Sequence, residues 1–315
     1  MSGKGPFGRL DWITVILYAL LVFIGWINIY STSVGEAHTS IFDFSTLYGK
    51  QLFFIGLAAL GIIFVLFVES QFFERFGSIF YIVSIVLLMG LFVFGKTIAG
   101  ATSWYDLGFF NLQPSELAKV GTSLALAKFL SDIQTDIRTG KHQLYALAII
   151  LLPALLILPQ PDPGSSLIYF SLFFVLFREG FPIYYLGILI FAVVLFATTL
   201  MFGTVWVAIG LVILTLLVYT FKRASVKIPI IPVLGVIVVS ILFSLSVNFV
   251  FENVFEQRHR DRFALWLSLE KDEEKLDEIR KTIGYNTYQS EKAIESGGFI
   301  GKGFLEGTRT KGDFV

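Results

Sequence analysis

Long apolar runs, each closed by a short polar break, repeat along most of this chain, and a bilayer core about 30 Å thick needs about 20 such residues per crossing helix. The pattern predicts about nine spans on that basis. They lie near Trp12 to Tyr30, Gln51 to Val68, Gly77 to Phe94, Pro114 to Leu130, Leu144 to Leu158, Ser165 to Phe177, Ile183 to Phe202, Thr204 to Phe221 and Pro229 to Phe251. From Gln257 to Val315 the pattern changes, and the residues turn polar and glycine-rich. The expected fold is an all-α polytopic membrane protein, with a transmembrane helical bundle over 1–251 and a large extracytoplasmic loop over 252–315.

Composition agrees with the pattern. With 55% hydrophobic and only 15% charged residues, a water-soluble globule would lack the polar surface to cover itself. A formal net charge of zero gives no reason to expect a nucleic-acid partner. Cysteine is absent, which excludes disulfides, thiol nucleophiles and thiolate zinc sites. His38, His142 and His259 are scattered without metal-ligand spacing. The first apolar run is too long for a signal-peptide core and has no small-residue cleavage site after it, so it reads as a retained helix.

Charge in the breaks sets orientation, because Lys and Arg in short loops stay on the cytoplasmic side. Lys4, Arg9, Arg75, Arg138, Lys141, Arg178, Lys222, Arg223 and Lys227 fall on one side, against Lys50 and Lys96 on the other. The N-terminus is therefore expected in the cytoplasm and the stretch from Gln257 outside.

Two breaks carry candidate chemistry. Lys96 to Lys119 is an external loop running into the fourth span. Pro114 suits a first helical turn, Glu116 lies near the positive end of the helix dipole, and Lys119 shares its face at i+3. Charges within a span are costly, so this pair reads either as a structural lock or as one wall of a polar cavity beside Trp104 and Asp106. The second break is Leu158-Pro159-Gln160-Pro161-Asp162-Pro163-Gly164. Prolines at alternate positions cannot continue a helix, so the chain turns here, on the outer side by parity. Asp162 caps the next helix or joins an outward-facing pocket.

In the external stretch, Glu270 to Ile283 has the spacing of a short amphipathic helix, with Asp277 and Lys281 placed to pair at i+4. Arg258, Arg260 and Arg262 suit either lipid headgroups at the membrane surface or the diphosphate of a lipid-linked substrate. The glycines of Gly297 to Gly307, around Lys302, permit a tight backbone-exposing loop.

Three separated motifs together resemble one family. Gly100-Ala101, Trp104, Leu107-Gly108, Gln113-Pro114-Ser115-Glu116 and Lys119 match the GAxxWxxLG…QPSExxK signature of the SEDS proteins of shape, elongation, division and sporulation. Gln160-Pro161-Asp162-Pro163-Gly164-Ser165-Ser166 is similar to the family's QPDLGTS motif. Gln289-Ser290, Ala293-Ile294, Ser296-Gly297-Gly298, Gly301-Lys302-Gly303 and Gly307-Thr308 are similar to its large external loop, on the RodA branch rather than the FtsW branch.

The resemblance implies a peptidoglycan glycosyltransferase of the bacterial plasma membrane that polymerises lipid II during cell-wall growth, working with a class B penicillin-binding protein and the elongation machinery. It implies that Trp104, Glu116, Lys119 and Asp162 line a central cavity. Arg258, Arg260, Arg262 and Lys302 become candidates for the lipid-linked substrate, and a divalent cation, Mg or Mn, is a possible cofactor. In the family the catalytic aspartate lies in a PExHTDF motif just beyond the equivalent of Asp313-Phe314-Val315. The resemblance therefore places no catalytic residue among these positions and implies a chain cut before that motif, inactive by itself. It also marks 183–228 as an added helical hairpin. A lipid II flippase, and a non-catalytic scaffold for a penicillin-binding protein, remain alternatives at this point.

Overall fold

The computed structural model describes residues 10–33, 40–98, 100–108, 110–223, 229–270, 272–282 and 284–307. Lys4, Arg9, His38, Lys227, Ile283, Thr308 and Asp313 to Val315 lie outside them. Each predicted apolar run is helical: α1 (Trp12–Ser33), α2 (Leu47–Phe67), α3 (Ser70–Phe94), α4 (Pro114–Ser131), α5 (Gly140–Ile157), α6 (Pro163–Ile168) continued through a 3-10 turn (Tyr169–Ser171) into α7 (Leu172–Arg178), α8 (Ile183–Phe202), α9 (Thr204–Arg223) and α10 (Ile230–Asn253). Hydrocarbon offers no partner to a backbone amide, so an apolar run must close its hydrogen bonds within itself.

Among the described residues, seven of these helices are long and apolar enough to cross a membrane: α1, α2, α3, α5, α8, α9 and α10. α4 falls short because it carries Glu116, Lys119 and Lys128, and the Pro163–Arg178 segment because it is shorter.

Between α3 and α4 the structure adds what the sequence reading left as loop. Three strands, β1 (Lys96–Ile98), β2 (Ala101–Asp106) and β3 (Asn111–Leu112), form a small antiparallel sheet in that order. Gly100 and Gly108, both at φ +81, supply the left-handed positions that the connections require. Alternation then places Ser103 and Tyr105 on one face of β2 and Trp104 and Asp106 on the other. Ser103 is buried, and the Tyr105 hydroxyl donates to the Leu87 carbonyl of α3 at 2.8 Å.

The chain forms two compact units, residues 66–190 and residues 1–65 with 191–315. The first is cored by Leu88 and Leu91 of α3, Ala118 and Leu126 of α4, Ala146, Ile150 and Ile157 of α5, and Tyr169 and Leu176 beyond the turn. α3 and α4 meet where small residues allow it: a Cβ added at Gly121 would stand 3.0 Å from the Phe80 carbonyl and 3.1 Å from Tyr81 Cα. α5 carries Pro153 inside it. Proline has no N–H, so the Ile149 carbonyl four residues earlier loses its helical partner. The Tyr81 hydroxyl of α3 replaces it, donating to that carbonyl at 3.1 Å.

In the second unit the α8–α10 seam is polar and self-satisfied. The Thr199 and Ser244 hydroxyls lie 2.6 Å apart, and Asn248 Nδ2 donates to Thr204 Oγ1 at 2.9 Å. At the C-terminal end of α1, Trp26, Tyr30 and Tyr48 form an aromatic cluster. Phe304 stacks on Tyr30 and the Leu305 amide donates to Ser31 Oγ at 3.3 Å. The polar stretch folds into α11 (Gln257–Trp266), α12 (Glu273–Lys281) and α13 (Tyr285–Gly297). α12 is shorter than the spacing predicts because Asp272 caps it, accepting from the Glu274 amide. Asp277 pairs with Arg280 Nη1 at 3.7 Å, where Lys281 was expected.

The Pro153 arrangement gives a prediction. Tyr81→Phe strands the Ile149 carbonyl and lowers stability by about 1–3 kcal/mol, read as a fall in Tm of the solubilised protein. Pro153→Ala in that background returns the backbone N–H and recovers most of the loss. Equal Tm for the wild type and Tyr81→Phe contradicts the account.

Candidate functional site

The site in the 66–190 unit is built at the N-terminus of α4. Gln113 precedes the helix in extended conformation and Pro114 occupies its first turn, where a missing N–H leaves nothing unpaired. Glu116 follows near the positive helix end, and Lys119 Nζ meets its Oε1 at 2.6 Å. The lysine side chain is 24% exposed and the glutamate 58%, so the carboxylate is the half of the pair open to a ligand.

The turn after α5 is fixed from two sides. Gln160 is buried, and its side-chain amide donates to the Leu88 carbonyl at 3.1 Å. Its own backbone carbonyl accepts from the Thr102 amide at 3.1 Å and the Ser103 hydroxyl at 3.4 Å, which hangs β2 on the turn. Asp162 then caps α6. Its Oδ1 accepts from the Ser165 amide at 3.1 Å, and its Oδ2 from the Ser165 hydroxyl at 2.7 Å and from Gln113 Nε2 at 3.3 Å. The last contact ties two motifs that lie 49 residues apart in the chain.

Trp104 sits half-buried on β2, opposite Lys96. Asp106, on the same face, is occupied elsewhere: Lys96 Nζ binds its Oδ2 at 2.6 Å and the Gly108 amide its Oδ1 at 3.0 Å. The Lys96 hydrogen bond holds the Asp106 carboxyl below the usual carboxylate range. Asp106 thus serves the sheet, and Glu116, also lysine-paired, is the more exposed of the two carboxylates.

The remaining expected residues belong to the other unit. Sequence spacing presented Arg258, Arg260 and Arg262 as one cluster, but they lie on helix α11, which divides them. Arg258 and Arg262 are one turn apart on a shared face, and Arg260 lies on the other side. Arg258 Nε pairs with Glu256 at 2.8 Å, and Arg260 Nη1 donates to the Glu252 carbonyl at 3.2 Å. His259 among them is held below its ordinary pKa, first by burial and then by Arg258, so it is neutral at pH 7. Lys302 is exposed between Gly301 and Gly303, both at positive φ.

The contributions of Gln113 and Gln160 escaped the sequence reading. A glutamine beside proline at a helix boundary was the available signal. Among the described residues, no three His, Asp or Glu side chains gather closely enough to hold a metal ion by themselves.

Asp162→Ala removes the cap of α6 and the link to Gln113, and costs about 1–2 kcal/mol of stability. Asp162→Asn keeps an acceptor for the Ser165 amide and costs less. Thermal unfolding of both variants checks the order, and equal losses contradict the capping role.

The FtsW/RodA/SpoVE family model, described as cell cycle protein, matches residues 11–209 and 202–315, two stretches that overlap from the end of α8 into α9. Peptidoglycan glycosyltransferase MrdB of Escherichia coli K12 is 28% identical over 266 residues, 83% of this chain and 56% of MrdB. The crystal structure of Thermus thermophilus rod shape determining protein RodA matches at 33% identity with TM-score 0.51, covering 59% of each chain. A structure of a peptidoglycan synthase complex, described as coordinating polymerisation and crosslinking, matches at 33% identity with TM-score 0.51, covering 61% of this chain and 54% of the other. The chain spans a little over half the length of these relatives. With its matches running from residue 11 to residue 315, this multi-pass membrane protein belongs to the FtsW/RodA/SpoVE family of cell cycle proteins.

Proposed function

We propose that this chain is part of a RodA-type peptidoglycan glycosyltransferase that polymerises lipid II at the outer face of a bacterial plasma membrane. The observation that carries the reading is the Gln113–Asp162 hydrogen bond at 3.3 Å. It gathers two polar motifs at one end of the helical unit, beside an ion pair, in a family whose relatives include a named peptidoglycan glycosyltransferase. Loop charge supports a cytoplasmic N-terminus, with the α4 end and the residues from Gln257 outside.

In such a polymerase the 4-hydroxyl oxygen of one lipid II sugar bonds to the anomeric carbon of the growing strand. The bond from that carbon to the undecaprenyl diphosphate breaks, the diphosphate takes the electron pair, and a general base takes the hydroxyl proton. Glu116 and Trp104 would receive the sugar, through carboxylate hydrogen bonds and an aromatic face, while Lys119 pairs with Glu116 and Asp162 keeps both elements in register. In the other unit, and considered by themselves, Arg258 and Arg262 are forks on a shared helix face suited to a diphosphate, and Lys302 is a further candidate cation. No step is routed through a metal. On this reading the general base would belong to the PExHTDF motif that the resemblance implies. A class B penicillin-binding protein is the proposed partner, a reading supported by the likeness to the synthase complex.

The test is lipid II polymerisation by the purified protein that contains residues 1–315 together with the PExHTDF region. Glycan strands are expected, and Glu116→Ala lowers the rate at least tenfold while Asp162→Asn retains part of it. The 1–315 chain by itself forms none. Lipid II translocation in sealed vesicles without strand formation overturns the polymerase reading, and strands from 1–315 alone overturn the placement of the base.

A further inference from the structure

The hairpin of α8 and α9 takes no part in the proposed polymerase, yet it encloses a cleft of its own. A single residue, Gly203 at φ +81, turns the chain from Phe202 into Thr204. Beyond that turn α9 packs on α10, and a cavity of about 470 Å³ is left between α8 and α9. Phe191, Leu195 and Phe202 line it from α8, and Trp206, Gly210 and Leu214 from α9. All of these belong to the unit of residues 1–65 with 191–315.

No lining residue is charged. Apart from the Trp206 indole at one end, the polar side chain among them is Thr198, whose hydroxyl donates to the Val194 carbonyl of its own helix at 2.8 Å. The occupant that suits such walls is apolar. A Cβ placed at Gly210 would meet nothing within 4 Å, so this glycine keeps the cleft open along the α9 wall.

Both walls are helices long and apolar enough to cross a membrane, and walls around an unfilled void forfeit their dispersion contacts. Something from the hydrocarbon therefore fills the space. A helix with its side chains is about 10 Å across and rises about 1.5 Å per residue, which is about 120 Å³ for each residue. The cleft would take about four residues of one, too little to seat a crossing helix. A single hydrocarbon chain fits. Along α8 the lining runs from Phe191 to Phe202, about 16 Å of helix axis, and one leaflet of a bilayer core is about 15 Å deep. By loop charge, Phe202 and Trp206 lie at the outer end, where an indole suits the membrane interface. An undecaprenyl chain is several times longer than a leaflet is deep and would overrun the cleft, and no lining residue is a cation that could hold its diphosphate.

We propose that the α8/α9 cleft holds one acyl chain of an outer-leaflet phospholipid, which braces the two helices where they do not pack on each other. The site uses no residue of the polymerase reading and stands whether or not that reading does.

The test uses the purified protein containing residues 1–315, in nanodiscs of phosphatidylethanolamine and phosphatidylglycerol doped with a phospholipid that carries a diazirine on its acyl chain. Crosslinks mapped by mass spectrometry are expected several-fold more often at Phe191 and Leu214 than at Val193 and Leu216, which are exposed at nearly the same depth but lie outside the cleft. Gly210→Leu grows into open space and is expected to lower the cleft crosslinks several-fold, leaving Val193 and Leu216 unchanged. Gly235→Leu, on α10 and equally free of neighbours, leaves all four unchanged. Equal crosslinking at the four positions overturns the lipid site, as do cleft crosslinks that persist undiminished in Gly210→Leu. Displacement of the probe from the cleft by undecaprenyl phosphate, or cleft crosslinks to protein in place of lipid, overturns the choice of occupant.

Discussion

Everything in this protein follows from the rule that a backbone amide or carbonyl inside hydrocarbon must find its partner within the protein. The long apolar runs of this chain obey the rule as helices. Where the sequence interrupts a helix, another residue has to fill the gap. Pro153 frees a carbonyl, and Tyr81 reaches across from α3 to satisfy it. The proline-rich turn after α5 is the larger breach, and there the replacement is a set of side chains: Gln160 anchors the turn to α3 and β2, and Asp162 caps the helix that follows.

These repairs also make the site. A capping carboxylate needs donors, and Asp162 takes one from Gln113, the residue that opens α4. The contact brings the turn to the helix start that displays Glu116 and Lys119. A carboxylate spent on structure thus positions a second, more exposed carboxylate that is paired with Lys119. Asp106 and Glu116 each pair with a lysine at 2.6 Å, but Asp106 also accepts from the Gly108 amide within the sheet connection.

Features fixed over one helical turn were legible in the sequence. Pro114 at the start of α4, the i, i+3 pair of Glu116 and Lys119, and Asp162 as a cap all depend on neighbours a few residues away. The apolar runs were legible for the same reason. Features that depend on distant partners were not. The small sheet between α3 and α4 hangs on the Gln160 carbonyl, 58 residues beyond Thr102 in the chain. The arginine run looked like one patch because spacing by two in a linear sequence conceals the rotation of a helix, and α11 turns Arg260 away from the other two.

The account stands or falls on which side of the membrane its polar ends face, since the proposed joining of lipid-linked sugars takes place outside. The absence of native cysteine makes the test clean. Single substitutions Leu107→Cys in the connection after β2, Phe299→Cys after α13 and Ile133→Cys between α4 and α5 would be treated in intact cells with a maleimide that cannot cross the inner membrane. The account predicts labelling at positions 107 and 299 without permeabilisation, and at 133 only after it. Labelling of position 133 in intact cells, with 107 and 299 protected, would contradict it.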